Sequence, residues 1–194
     1  MTAPAALPGA VRLPWTFPAA ALADEVLALD DEEWEPHFNT GIYGGDWSTA
    51  TLRAPVGGVG SFAGYPDPSA TGFAGTELLD RCPAAGAVLA AIPAELLSAR
   101  FLRLGPGAEI REHRDHMLGH AHGEARLHVG VTTTAEAELV VDGTVVPVVP
   151  GECWYVDASR RHSARNPGPG TRIHLVVDCQ VGPELDAALR SAAA

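Results

Sequence analysis

Apolar and polar residues alternate along much of the chain from about residue 100 onward. Alternation with a period of two, interrupted by frequent turn residues, predicts short β-strands. The segments that fit are residues 100–104, 109–113, 125–132, 137–141, 144–149, 152–156, 161–165 and 171–178. Between the fourth and fifth of these, Asp142-Gly143 predicts a tight β-hairpin.

Two of these segments have one polar face and one aliphatic face. Arg172 and His174 alternate with aliphatic residues in the last segment, and Arg126 and His128 do so in the third. Successive side chains of a strand point to opposite faces, so the sheet should line a polar pocket and pack its aliphatic face outward. We therefore expect a mainly β fold, a double-stranded β-helix (jelly roll, cupin-like) built from two facing four-stranded sheets.

The first hundred residues suggest helices and Gly/Pro-rich loops. Pro18 suits the first turn of a helix that runs through residues 20–34, and a second helix over residues 84–97 should be interrupted at Pro93. These N-terminal helices are the expected cover for the aliphatic face of the sheet. The glycine-rich residues 57–64 lack nucleotide-loop spacing, so we interpret them as a flexible loop rather than a phosphate site.

Length and composition indicate a single domain over residues 1–194. Its predicted parts are helical and loop support in 1–100, the jelly-roll core in 101–181 and a C-terminal tail in 182–194. The net charge of −11 argues against binding to nucleic acid or anionic membranes. Three cysteines without C-x-x-C spacing argue against a disulfide framework or structural zinc. With no signal-peptide or membrane-helix pattern, we expect a cytoplasmic protein. The oligomeric state stays open.

Three residues have the types and spacing of a metal site. His113 and Asp115 are two residues apart, so on a strand they would project to one face. A second imidazole from His162, on a distant strand, would complete a set of two histidines and one carboxylate. That set leaves metal positions open and is typical of non-haem Fe(II) oxygenases that use O2.

Arg172 follows His162 by ten residues and offers a fixed cation for a dicarboxylate co-substrate. A guanidinium binds a carboxylate through two parallel hydrogen bonds. The residues therefore predict an Fe(II)- and 2-oxoglutarate-dependent hydroxylase.

Several segments carry a family resemblance. Residues 105–115, 123–128, 151–157, 162–166 and 172–178 resemble the aspartyl/asparaginyl β-hydroxylase family of Fe(II)/2-oxoglutarate dioxygenases. Together with residues 37–48, they are similar to its bacterial branch, which includes proline cis-4-hydroxylases. The resemblance implies hydroxylation of an sp3 carbon of an amino acid, free or peptidyl, with release of succinate and CO2.

The resemblance also implies roles for individual residues. His113, Asp115 and His162 would bind iron, and Arg172 would pair with the distal carboxylate of 2-oxoglutarate. His128 would lie beside the bound co-substrate. Arg126 would lie beside the co-substrate or a substrate carboxylate, and an ordinary ion-pair role for Arg126 is an equal alternative.

Other residues allow structural or functional interpretations. His174 is predicted to be a core histidine, and Trp47 and Trp154 are predicted to be core anchors. Asp157 and Asn166 should fix the backbone around His162. The histidines of the loop over residues 116–123 are either surface residues or part of a lid that contacts substrate.

Two other functions remain open at this stage. One is a cupin-type metalloenzyme, an isomerase or a dioxygenase, that does not use 2-oxoglutarate. The other is a non-catalytic jelly-roll binding module. The first predicts metal binding that does not depend on Arg172, and the second predicts no succinate formation with any substrate.

Overall fold

The protein is described from a computed structural model that covers residues 6–58, 65, 67 and 69–194. Its strands are β1 (Ala10–Thr16), β2 (Glu35–Pro36), β3 (Tyr43–Gly44), β4 (Trp47–Pro55), β5 (Phe73–Gly75), β6 (Leu96–Leu104), β7 (Ala108–His113), β8 (Glu124–Thr132), β9 (Glu138–Val141), β10 (Thr144–Val145), β11 (Glu152–Val156), β12 (His162–Asn166) and β13 (Arg172–Gln180). Its α-helices are α1 (Ala19–Leu27), α2 (Glu77–Asp80), α3 (Pro83–Ala91) and α4 (Pro183–Ala193).

The described strands form two antiparallel sheets, which confirms the predicted mainly β, cupin-like jelly roll. The larger sheet has the order β1-β11-β8-β13-β6-β4-β2, with β5 paired to β4. The smaller sheet has the order β10-β9-β12-β7-β3. The predicted four-plus-four arrangement was wrong in size, because strands from the first hundred residues extend the larger sheet and β3 extends the smaller one.

The strands of the second half agree with the alternation pattern to within a few residues. The largest differences are β6, which begins at Leu96, and β10, which ends at Val145. The β9–β10 hairpin forms at the predicted turn, where Asp142 and Gly143 have φ values of 46° and 77°. Two successive positive φ angles are typical of the type I′ turn that connects twisted strands.

The first hundred residues contain strands that the sequence did not predict. β1 is an edge strand that includes Pro14, where a missing N–H is tolerated. β4 begins with a run of buried residues instead of an alternating pattern. The predicted C-terminal tail is largely the helix α4. The glycine-rich residues 59–64 lie outside the described residues.

Two hydrophobic clusters show how the layers pack. In one, Leu22 and Val26 of α1 and Val88 of α3 pack with sheet residues that include Leu127 and Leu175, which confirms the helical cover. The other cluster lies between the sheets and includes residues such as Leu104 of β6, Ile110 of β7 and Val176 of β13. No helix in the described part of the chain has the length and apolar character needed to cross a membrane.

Candidate metal centre

His113, Asp115 and His162 meet at one end of the smaller sheet. His113 is the last residue of β7, His162 is the first of β12, and the two face each other in the antiparallel register. Asp115 lies just beyond the end of β7, where its N–H donates to the carbonyl of Ala158 at 2.8 Å. One donor atom from each of the three lies within 4.8 Å of the other two. The structure therefore brings the predicted triad together.

Backbone contacts orient both imidazoles toward the carboxylate. Nδ1 of His113 lies 2.8 Å from the carbonyl oxygen of Arg111, and Nδ1 of His162 lies 3.0 Å from that of Arg160. A carbonyl can only accept a hydrogen bond, so each Nδ1 carries a proton, and in the neutral imidazole the lone pair is then on Nε2. Such contacts commonly fix the tautomer of a metal-binding histidine. Burial also lowers the pKa of His162 and so favours its neutral, ligating form.

Asp115 supplies the anionic donor. Its Oδ1 lies 3.6 Å from Nε2 of His113, and its Oδ2 lies 4.0 Å from Nε2 of His162. Burial raises the pKa of this carboxyl, but Arg126 and the two histidines outweigh burial and lower it. Two imidazole nitrogens and one ionised carboxylate fit Fe(II) or a similar divalent metal, with other coordination positions left for small ligands.

Arg126 is held between two carboxylates. Its Nε and Nη2 donate to Oδ1 and Oδ2 of Asp178 at 2.7 and 3.0 Å, while its Nη1 donates to Oδ2 of Asp115 at 2.5 Å. The ion-pair alternative is therefore what the structure contains. A contact between Arg126 and a co-substrate or substrate stays a prediction.

Arg172 is buried without a compensating acid. It is 3% exposed, and among the described residues no carboxylate pairs with it. Its Nη2 contacts Nδ1 of His174 at 3.0 Å. Burial lowers the pKa of Arg172 to about 10, so the group remains a cation at neutral pH. A buried cation is costly unless it is paired, and this one lines the same cavity as the metal triad.

His128 and His174 form a neutral pair beside Arg172. A guanidinium can only donate, so Nδ1 of His174 accepts from Arg172. Nδ1 of His128, 3.1 Å from the same atom, must then carry a proton. Burial and the charge of Arg172 lower the pKa of both histidines well below the usual value. His174 is fully packed, as predicted, and His128 lines the cavity.

The triad and Arg172 open into a cavity of about 740 Å³. One wall is aromatic: the ring of His37 stacks on that of Trp47 at 3.5 Å between centroids and on that of Phe38 at 4.5 Å. Burial lowers the pKa of His37 to about 3. Trp47 is predicted from the sequence to be a core anchor and no site role is predicted for His37, but both line the cavity. The sequence feature that could have pointed to a site role is that both residues lie in the segment 37–48, which resembles the bacterial branch of the family.

The loop between β7 and β8 forms another part of the cavity wall. His116, Met117 and Leu118 line the cavity, whereas His120 points to α4 and contacts Asp186 at 2.6 Å. The loop thus borders the space beside the triad. Substrate contact by this loop stays a prediction.

Two buried polar residues support the turns around β12. The side-chain amide of Asn166 donates to the carbonyl oxygens of Leu104, Gly105 and Gly170 at 2.8–3.1 Å. Asp157 accepts from Ser159 and Arg160 in the turn that leads to His162. Asp157 thus supports the turn before His162, as predicted, whereas the amide of Asn166 supports the β6–β7 and β12–β13 turns instead of the backbone around His162. Trp154 is half-buried, packs against the cluster between the sheets, donates to Glu152 at 2.9 Å and is not among the residues that line the cavity.

Comparison with known proteins agrees with this arrangement. A model of the family described as aspartyl/asparaginyl beta-hydroxylase matches residues 19–181. The chain belongs to this family. The match includes the metal triad, Arg126, His128 and Arg172, and family membership supports a hydroxylase of the oxygenase type.

Two solved structures show the same fold at low sequence identity. A Pseudomonas putida prolyl-4-hydroxylase is 17% identical and has a TM-score of 0.54, with 90% of this chain and 93% of that chain covered. An oxidoreductase of the 2OG-Fe(II) oxygenase family from Burkholderia pseudomallei is 16% identical and has a TM-score of 0.53, with 88% and 85% covered. A predicted oxalate decarboxylase from Thermotoga maritima is 15% identical, with a TM-score of 0.43 and 79% and 99% covered.

Proposed function

We propose that the protein is an Fe(II)- and 2-oxoglutarate-dependent hydroxylase. The observation that carries this proposal is the buried guanidinium of Arg172, which no carboxylate among the described residues pairs with, in the same cavity as a two-histidine, one-carboxylate site. The metal site alone would suit many reactions. A buried cation near this site would be stabilised by an anionic ligand, and the distal carboxylate of 2-oxoglutarate would bind the guanidinium through two hydrogen bonds.

The residues divide the work as follows. Nε2 of His113 and His162 and a carboxylate oxygen of Asp115 would hold Fe(II), while Arg172 would bind the distal carboxylate of 2-oxoglutarate. With these bound, O2 and 2-oxoglutarate would convert a C–H bond of the substrate to C–OH and yield succinate and CO2. His128, neutral and lining the cavity, would lie beside the co-substrate. The cavity would position the target carbon beside the metal and limit access of water.

The substrate we propose is an amino acid, either free or within a peptide. The cavity of about 740 Å³ has room for such a molecule beside the co-substrate.

The decisive experiment needs no knowledge of the substrate. Fe(II) and then 2-oxoglutarate are added to the metal-free protein under anaerobic conditions, and the weak visible charge-transfer absorption of the chelate is recorded. We expect the band in the wild type, its loss in His162→Ala, and a much higher 2-oxoglutarate requirement in Arg172→Met. Arg165→Met, which changes an exposed arginine paired with Glu138, serves as the matched control.

Other outcomes would favour a different function. If Fe(II) binds but 2-oxoglutarate produces no band, a cupin-type metalloenzyme without this co-substrate becomes the better description. If the band forms but no amino acid or peptide supports succinate formation above the uncoupled rate, the substrate class is wrong. If no metal binds, the binding-module alternative takes its place.

A further inference from the structure

A buried ion-pair network lies next to the metal triad. Asp178 of β13 is fully buried and faces Arg126 of β8 directly in the antiparallel register. Arg126 uses Nε and Nη2 for the two oxygens of Asp178 and Nη1 for Oδ2 of Asp115. One guanidinium therefore joins a ligand of the metal site to a carboxylate that does not line the cavity.

The far side of Asp178 is held by β6. Nη1 of Arg100 donates to its Oδ2 at 2.9 Å, and the hydroxyl of Ser98 donates to the same oxygen at 3.2 Å. Burial raises the pKa of Asp178, but Arg126 and Arg100 outweigh burial and hold it well below the usual range. The carboxylate is therefore ionised and anchored from both sides. Formal charges balance, since two arginines face two aspartates.

We infer that Asp178 is a positioning residue for the metal site, an inference that rests on the proposed function. It fixes the guanidinium of Arg126, which in turn holds Oδ2 of Asp115 and leaves Oδ1 directed toward His113. Asp115 would then offer one oxygen to the metal. The network also links the ligands carried by the smaller sheet to β8, β13 and β6 of the larger sheet.

The consequence of breaking this network follows from the donor pattern of arginine. Without the charge of Asp178, the guanidinium of Arg126 would bond more strongly to Asp115 and draw the Asp115 carboxylate away from the metal. The site would also lose one negative charge while keeping both buried arginines. Each change disfavours a divalent cation, and loss of such outer contacts typically weakens metal binding about 10–100-fold.

The test uses Asp178→Asn, which is close to the native side chain in shape. Binding of Mn(II) to the full-length protein is measured from the electron paramagnetic resonance signal of the free ion. We expect affinity to fall about 10–100-fold and the absorption spectrum of bound Co(II) to change shape. Glu138→Gln, which removes the charge of an acid paired with exposed Arg165, should leave both readouts unchanged.

A double-mutant cycle separates positioning from general loss of structure. If Asp178 acts through Arg126, the Asp178→Asn change should alter Mn(II) affinity by less than about threefold in an Arg126→Gln background. An equal loss in both backgrounds would overturn the inference, as would wild-type affinity in a folded Asp178→Asn protein. Thermal melting and circular dichroism establish that each variant is folded.

A second variant covers the case in which Asp178→Asn does not fold. Arg126→Lys keeps the charge, but a single ammonium cannot grip both carboxylates as the guanidinium does. It should show the same weakened Mn(II) binding and altered Co(II) spectrum, and native binding would contradict the inference. If the wild type does not bind Mn(II), the proposed metal site is wrong. If the wild type binds Mn(II) and the variants bind it equally well, only the positioning role of Asp178 is wrong.

Discussion

Arg126 and Arg172 are both buried guanidinium groups, but their surroundings give them different energetic roles. Arg126 is bonded to Asp178 and Asp115, so it stabilises the folded chain. Arg172 contacts His174 and, in the described part of the chain, pairs with no acid. A buried charge without an acidic partner lowers stability, and under the proposed function a carboxylate of the ligand would pair with it.

Replacing each arginine by methionine should distinguish these roles. Arg172→Met should leave the metal-free protein as stable as the wild type or more stable, because a desolvated charge is removed. Its 2-oxoglutarate affinity should fall about thirtyfold to several-thousandfold, the equivalent of about 2–5 kcal/mol. Arg126→Met should lower the free energy of unfolding by about 3–5 kcal/mol, because it removes the buried cation that Asp115 and Asp178 share and leaves Asp178 with Arg100 as its remaining ion-pair partner.

Urea denaturation of the metal-free proteins and calorimetric titration of 2-oxoglutarate into Mn(II)-loaded proteins provide the measurements. Equal destabilisation by the two substitutions would show that Arg172 is a structural residue.

At the scale of elements, the loop between β7 and β8 contacts both the helix α4 and the strand β11. The side chain of His120 contacts Asp186 of α4, and its backbone N–H donates to the hydroxyl of Tyr155 on β11 at 2.9 Å. Gly119 lies so close to Asp157 that a Cβ there would come within 2.3 Å of a carboxylate oxygen. These contacts fix the loop whose residues 116–118 line the cavity.

Asp186→Ala should release this loop without unfolding the protein. The His120–Asp186 pair is partly exposed, so its loss should cost less than about 1 kcal/mol of global stability. Amide hydrogen exchange across residues 116–122 should become faster, while exchange in β8 and β13 stays slow. Glu184→Ala, an exposed residue of the same helix, is the control. Unchanged exchange in the loop would mean that the pair does not hold it.

Across the whole molecule, buried neutral histidines make stability sensitive to acid. The pKa values of His37, His128 and His174 are all lowered, by burial first and by nearby arginines next. Below about pH 6.5 the unfolded chain protonates these side chains and the folded chain does not. The unfolded state then binds more protons, so the free energy of unfolding falls as the pH falls.

We expect a loss of about 1.4 kcal/mol per pH unit for each such histidine below about pH 6. Urea denaturation of the metal-free protein between pH 7.5 and 4.5 measures this slope. His37→Asn should reduce the slope by one such increment, since the pKa of His37 lies near 3 in the folded protein. Exposed His122 provides the control through His122→Asn, which should leave the slope unchanged. Stability that is constant over this range would contradict the expectation.

The alternation of apolar and polar residues was sufficient to predict the strands in the second half of the chain. β8 and β13 have alternating residues because one face packs against helices and the other lines the cavity, and that asymmetry is recorded in the sequence. β4 begins with a run of buried residues, so its segment has no such alternation. β1 contains Pro14, which argues against a β-strand unless the strand is known to lie at the edge of a sheet.

The sequence by itself determined the residue types and spacing of the candidate site: His113, Asp115, His162 and Arg172 could be selected from it. Only the tertiary structure decided which cation each carboxylate would contact. Arg126 and Asp178 are far apart in the chain but directly opposite in register, whereas Arg172 meets no acid in the described residues. Partner choice depends on strand register and burial, which arise only when the two sheets are assembled. For that reason, the pattern on each strand could identify the charged residues but could not distinguish the arginine that pairs with two aspartates from the one that meets no acid among the described residues.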